Sequence, residues 1–94
     1  MYTVKPTKKF SKDLKRDEKR GYEIDLLTEV IKKLAAGEKL EEKHQDHPLK
    51  GNYNGCRECH ITPDWLLIYK ISKVKLILYL TRTGTHSDLF NVWR

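Results

Sequence analysis

Residues 56–82 read CRECHITPDWLLIYKISKVKLILYLTR. Three strand-like runs lie end to end in this stretch: Cys56 to Thr62, Trp65 to Ile71 and Lys75 to Arg82, separated only by Pro63-Asp64 and Ser72-Lys73. Connections this short cannot hold a crossover, so the runs pair as an antiparallel three-strand meander. In the last run Leu76, Leu78 and Leu80 alternate with Lys75, Ile77, Tyr79 and Thr81. The alternation turns the leucines toward one face, where helices can cover them.

Upstream of the meander the period changes. Tyr2, Thr3 and Val4 are β-formers closed by Pro6, which reads as a short N-terminal strand. Thr7 can cap a helix with Phe10 and Leu14 on one side and Lys8, Lys9, Lys12, Lys15, Arg16 and Lys19 around the rest. After Gly21, Ile24, Leu27, Ile31 and Leu34 recur at helical spacing, flanked by Leu26 and Val30, until Gly37 offers a left-handed stop. The two helices form a hairpin. Residues 38–49 show no period and read as a surface loop, and the cluster Gly51, Asn52, Asn54 and Gly55 marks turns. After Gly84, Ser87, Asp88 and Leu89 suggest one further helical turn. The expected fold is therefore α+β: a strand, a helical hairpin packed on one sheet face and the meander, with the other sheet face free for function.

The chain has 94 residues, 34% of them charged and 38% hydrophobic, which suits one domain with a modest core. The longest apolar runs are Trp65 to Tyr69 and Leu76 to Leu80, far short of the roughly 20 residues a spanning helix needs. The N-terminus lacks the apolar stretch of a signal peptide. Together these point to a cytoplasmic protein with reduced thiols and no membrane partner. The formal net charge of +6 is uneven, with +5 on residues 1–20, −2 on 21–45 and +3 on 46–94. A basic arm of this kind attracts phosphate, or is simply a solvated lysine-rich helix.

Cys56-Arg57-Glu58-Cys59-His60 spells a haem-attachment motif. Without an export signal, and with Met1 as the sole methionine, that reading fails. On a strand Cys56 and Cys59 also point to opposite faces. This weakens a zinc or redox protein built on them, although His44, His47 and His60 could nominally complete a ligand set.

The histidines carry more information: Asp46-His47-Pro48, His60 four residues before Asp64-Trp65, and Thr83-Gly84-Thr85-His86, each in a loop or at a strand end. Imidazoles suit the two proton transfers of RNA cleavage, one from a ribose 2′-OH and one to the leaving 5′ oxygen. Asp64 can orient an imidazole or act as base, and Arg82 supplies a cation for the transition-state phosphate.

Three segments together, Asp46-His47-Pro48-Leu49-Lys50-Gly51, Cys59-His60-Ile61-x-Pro63-Asp64-Trp65-x-Leu67-Ile68-Tyr69 and Arg82-Thr83-Gly84-Thr85-His86-x-x-Leu89-Phe90, resemble the YafQ branch of the RelE/ParE toxins of bacterial type II toxin-antitoxin systems. The resemblance runs from about Phe10 to Phe90. It implies a single RelE-like toxin domain over residues 1–94 that enters the ribosomal A site and cuts messenger RNA by 2′-OH attack, with no metal or other cofactor. It further implies neutralisation by a cognate antitoxin in a heterotetramer or similar complex. By position, His47, His60, Asp64, Trp65, His86 and Phe90 match residues tied to activity in that family, and Arg82 matches an arginine that faces the phosphate. Trp65 and Phe90 are then base stackers, Phe90 foremost because Trp65 begins an apolar strand. Lys8, Lys9, Lys12, Lys15 and Arg16 are expected to meet RNA phosphates. Cys56, Cys59 and Trp93 have no assigned role. The competing readings are a non-catalytic nucleic-acid or ribosome-binding module using the basic helix, and the zinc or redox protein.

Overall fold

The computed structural model of the chain describes residues 1–90, so Trp93 and its neighbours lie outside it. Its elements are β1 (Thr3–Pro6), α1 (Lys8–Lys19), α2 (Ile24–Ala35), β2 (His47–Pro48), β3 (Arg57–Thr62), β4 (Trp65–Ser72), β5 (Ile77–Gly84) and α3 (His86–Phe90). They form the expected α+β arrangement, but the sheet has five strands, in the order β1-β5-β4-β3-β2. β1 runs parallel to β5, and the other neighbours are antiparallel. The additional strand, β2, is two residues long, pairing His47 with Glu58 and Pro48 with Arg57. A strand that short, ending in proline, leaves no alternation to read, so residues 38–49 look like loop. Asp46 anchors its approach, accepting from the Tyr69 hydroxyl at 2.7 Å and from Arg57 Nε at 3.1 Å.

Leu27, Val30 and Leu34 of α2 and Phe10 of α1 pack on Cys59, Leu67, Tyr69, Leu78 and Leu80 to form the main core. The opposite face is not wholly open, because Leu49, Tyr53, Cys56, Leu89 and Phe90 gather over Leu66 and Ile68. β4 is thus buried on both sides, which accounts for the unbroken apolar run Trp65 to Tyr69. Leu76, expected to point inward, is 53% exposed at φ 56°. It belongs to the β4–β5 turn, since pairing begins at Ser72 with Ile77.

The helix α1 departs most from its sequence reading. Thr7 caps it as expected, accepting from Phe10 N–H at 3.1 Å. Asp13 and Asp17, however, are buried beside Phe10. The cause lies in the sheet. β1 accompanies β5 only from Ile77 to Leu80, leaving the outer edge of the last β5 residues without a strand neighbour. Buried backbone groups need partners, and α1 supplies them. The Thr7 hydroxyl donates to the Thr81 carbonyl at 2.9 Å, Thr83 N–H donates to Asp13 at 3.2 Å, and Arg16 Nη2 donates to the Thr83 carbonyl at 2.8 Å. Side chains of α1 therefore continue the ladder where β1 stops.

Cys59 lies in the main core and Cys56 among the smaller cluster on the other face, both as free thiols. Burial pushes the Cys59 thiol up to about 12, so it is a poor thiolate ligand. The zinc or redox reading of this pair loses its footing.

Candidate active site

The end of β3, the β3–β4 turn, the end of β5 and the start of α3 converge on one patch. A register shift between His60 and Thr62 re-aims the end of β3, and Asp64 sits in the tight turn that follows. α3 begins with a reciprocal cap, in which Asp88 N–H donates to the Thr85 hydroxyl at 3.1 Å and Thr85 N–H donates to Asp88 at 2.9 Å. Asp88 also accepts from Arg20 at 2.6 Å and 3.0 Å. That pairing holds its carboxyl far below the usual range and ties α3 to α1. Gly84, at φ 152°, is needed at this junction, because a Cβ there would stand 2.9 Å from Asp88 Oδ2 and closer still to Arg16 Nη2.

This frame delivers His86 to Asp64. His86 Nδ1–H donates to Asp64 Oδ1 at 2.7 Å, and its backbone N–H reaches the same oxygen at 3.3 Å. These bonds hold the Asp64 carboxyl below its ordinary value, so it is ionised at neutral pH. An ionised acceptor places a proton on Nδ1 and leaves Nε2 outside this pair. The pair is open to solvent, the two side chains being 44% and 69% exposed.

His60 lies next to it, its ring centre 5.8 Å from that of His86, and His47 follows at 6.3 Å from His60. In both of these rings, as in His86, Nδ1 is the bonded nitrogen. His47 Nδ1–H donates to the Gln45 carbonyl at 2.6 Å and His60 Nδ1–H to the Pro63 carbonyl at 3.3 Å. Both Nε2 atoms face one carboxylate oxygen, Glu58 Oε1, at 3.3 Å and 3.7 Å. His44, a nominal ligand by sequence, is buried, with Nδ1–H donating to the His60 carbonyl at 2.7 Å. Glu58, His60 and His86 bring one ligand atom each within 4.8 Å of one another, so a metal ion could share them.

Arg82 closes the patch. Its Nε and Nη2 donate to Asp13 at 2.6 Å and 3.0 Å, and Nη1 lies 3.5 Å from the Tyr53 hydroxyl. The Asp13 carboxylate raises the guanidinium pKa further above its already high value. Two N–H groups of the fork stay outside this clamp. Tyr53 meets Phe90 edge to face with ring centres 5.9 Å apart, and Phe90 lies 6.5 Å from His86.

The fold therefore brings together His47, His60, Asp64, Arg82, His86 and Phe90 from separate stretches of chain. Two sequence-derived positions sit differently. Trp65 is buried in the main core, its ring meeting Tyr22 edge to face at 4.9 Å and its Nε1–H donating to Thr83 Oγ1 at 3.0 Å. No ring face is left for a base. Arg16 is drawn into ion pairs with Asp13, Asp17 and Asp88 instead of standing in solvent, whereas Lys8, Lys9, Lys12 and Lys15 are exposed. Sequence reading overlooked Glu58, Asp13 and Tyr53. Glu58 shares a strand face with His60 two residues on, and Asp13 and Asp17 repeat at helical spacing along the Phe10 stripe, so both had a periodic signal. Tyr53, in a turn cluster, had none.

A family model described as the bacterial toxin of type II toxin-antitoxin system, YafQ, matches residues 2–91. The mRNA interferase toxin YafQ of Escherichia coli K12 is 39% identical over 82 residues, covering 86% of this chain and 87% of that protein. Among solved structures, a metal-bound toxin from Helicobacter pylori superposes with a TM-score of 0.90 at 48% identity, covering 96% of this chain and 100% of that one. The E. coli DinJ-YafQ complex gives 0.87 at 35% identity, covering 96% and 99%.

Proposed function

We propose that this chain, because it belongs to the YafQ family of bacterial type II toxins, is an mRNA interferase, an endoribonuclease that cuts messenger RNA and is restrained by a cognate antitoxin. We read residues 1–94 as one toxin domain acting in the cytoplasm; no helix among the described residues is long and apolar enough to cross a membrane. The observation that carries the catalytic reading is the juxtaposition of three imidazoles, each bonded through Nδ1, with two carboxylates. His86 is backed by Asp64, and His60 and His47 present Nε2 toward Glu58.

In this mechanism His86 Nε2 takes the 2′-OH proton as the 2′-O–P bond forms. The His60 and His47 side returns a proton to O5′ as the P–O5′ bond breaks. The free N–H groups of Arg82 face the phosphate, where negative charge accumulates. Phe90 stacks on a neighbouring base, worth about 1 to 3 kcal/mol. The products are a 2′,3′-cyclic phosphate and a 5′-OH. The nucleophile belongs to the substrate and is activated by an imidazole, so no metal is required.

The site is an open patch, and positioning an RNA in it falls to the ribosome. Cleavage is therefore expected on ribosome-bound messenger RNA and nearly absent on free RNA. Mapping 5′ ends with and without ribosomes, and with a transition-metal chelator while Mg²⁺ is retained for the ribosome, checks both points. Equal cutting of naked RNA, or loss of cutting on chelation, contradicts the mechanism.

The exposed lysines of α1 give the non-catalytic reading its one favourable observation, and under either reading they meet RNA phosphates. Reversing Lys8 and Lys12 to glutamate should weaken ribosome binding and reduce its salt slope, since each phosphate contact contributes nearly one unit. Stability should stay within about 0.5 kcal/mol, because these side chains touch no core. A titration of binding against salt reads this directly.

A further inference from the structure

Glu58 is an expensive residue in its place. The residue is only 4% exposed, and Oε2 is buried with no hydrogen-bond partner among the described residues. Buried carboxylates persist where opposite charge or donors compensate them. On β2, β3 and α3 the titratable groups facing it are His47, His60 and His86. Across the sheet its neighbour on β4 is Ile68, which offers nothing polar from its side chain.

The donors follow from what each imidazole does with its other nitrogen. A carbonyl only accepts, so Nδ1 of His47 must carry hydrogen to meet Gln45, and Nδ1 of His60 must carry hydrogen to meet Pro63. If Nε2 were bare as well, two lone pairs would face the same carboxylate oxygen. An N–H on Nε2 removes that repulsion and supplies the donor Glu58 needs. His86 is not under this constraint, because the carboxylate within ion-pair distance of its ring is Asp64 and not Glu58.

We propose that Glu58 is a positioning residue for departure of the leaving group: its buried carboxylate receives the Nε2–H of His47 and His60 and so sets these two imidazoles as the donating side of the site. This rests on the endoribonuclease reading above and adds a residue to it. The hydrogen travels from Nε2 to O5′ as the P–O5′ bond breaks, and Glu58 itself touches no substrate. The 3.7 Å separation at His60 is longer than a hydrogen bond, in keeping with catalytic contacts that tighten only when substrate is bound.

The test uses a leaving group that needs no proton. Short messenger RNAs are placed in the A site with either the ordinary 5′ oxygen or a 5′-bridging sulfur at the scissile phosphate, and single-turnover rates are measured. Glu58→Gln, which keeps the size of the side chain, should cut the oxygen substrate at least tenfold more slowly than the unmodified protein and the sulfur substrate within about threefold of it. Glu58→Asp should recover more of the oxygen rate than Gln does. His86→Ala should be slow on both substrates, since formation of the 2′-O–P bond is upstream of either leaving group. Full activity of Glu58→Gln on the oxygen substrate overturns the proposal. So does an equal loss on both substrates, which would assign Glu58 a purely structural role. If the unmodified protein cuts neither substrate on ribosomes, the endoribonuclease reading itself falls, an outcome distinct from either of these.

Discussion

His86→Ala should lower single-turnover cleavage of ribosome-bound messenger RNA by at least about a hundredfold, the scale on which a positioned acid or base acts. Among the described residues the side chain's one hydrogen bond is to Asp64, and both groups are exposed. Removal should therefore cost no more than about 1 kcal/mol of stability and leave ribosome affinity nearly unchanged. Asp64→Ala should act in the same direction. Without its carboxylate nothing holds the proton on Nδ1, and the backbone bond that seats the start of α3 is lost too. Quench-flow cleavage alongside a filter-binding measurement separates the two effects. A His86 variant that cuts at the normal rate would leave the patch as a binding surface and favour the non-catalytic reading.

Trp65→Ala should also abolish activity, by an unrelated route. The indole fills the junction between α2 and the sheet, against Tyr22, and bonds Thr83. Thr83 Oγ1 donates in turn to the Leu66 carbonyl at 2.7 Å, and its backbone is the edge that Asp13 and Arg16 close. Truncating a buried tryptophan costs about 3 to 5 kcal/mol. A domain of this length has a total stability on the order of 5 to 14 kcal/mol, so much of the protein's margin goes with it. The denaturation midpoint should drop steeply. Trp65→Phe retains most of the volume and forfeits the Thr83 bond, worth about 0.5 to 1.5 kcal/mol, and should cleave within a few-fold of normal. A Trp65→Ala protein of normal stability with no cleavage would mean the indole meets the RNA after all.

Both substitutions fall on positions that the same family resemblance marks as tied to activity, yet the structure separates them: His86 stands in the open patch and Trp65 lies in the core. That separation could not be read along the chain. Trp65 heads an apolar run in which every side chain is buried, and alternation is silent when both faces of a strand are covered. Phe90 has the same composition value and ends up beside His86, because α3 folds back over the second sheet face.

Local chemistry determined much of this protein by itself. The threonine cap at Thr7, the helical spacing of Ile24 to Leu34, the turn residues Pro63 and Gly84 and the alternation of Leu78 and Leu80 each act within a few residues. They therefore set the elements, their inward faces and the histidine-bearing ends before any long-range contact is known. Tertiary structure decided what those elements meet. β2 exists because His47 and Pro48 find Glu58 and Arg57. Asp13, Asp17 and Arg16 are withdrawn from solvent because β1 is shorter than β5 and the exposed edge must be closed. Glu58 lies between imidazoles because strand register places it there. A side chain's period along the chain depends on its own backbone, whereas its burial and its partners depend on which distant strand or helix supplies the missing donors and acceptors, and that is set by register and strand length across the sheet.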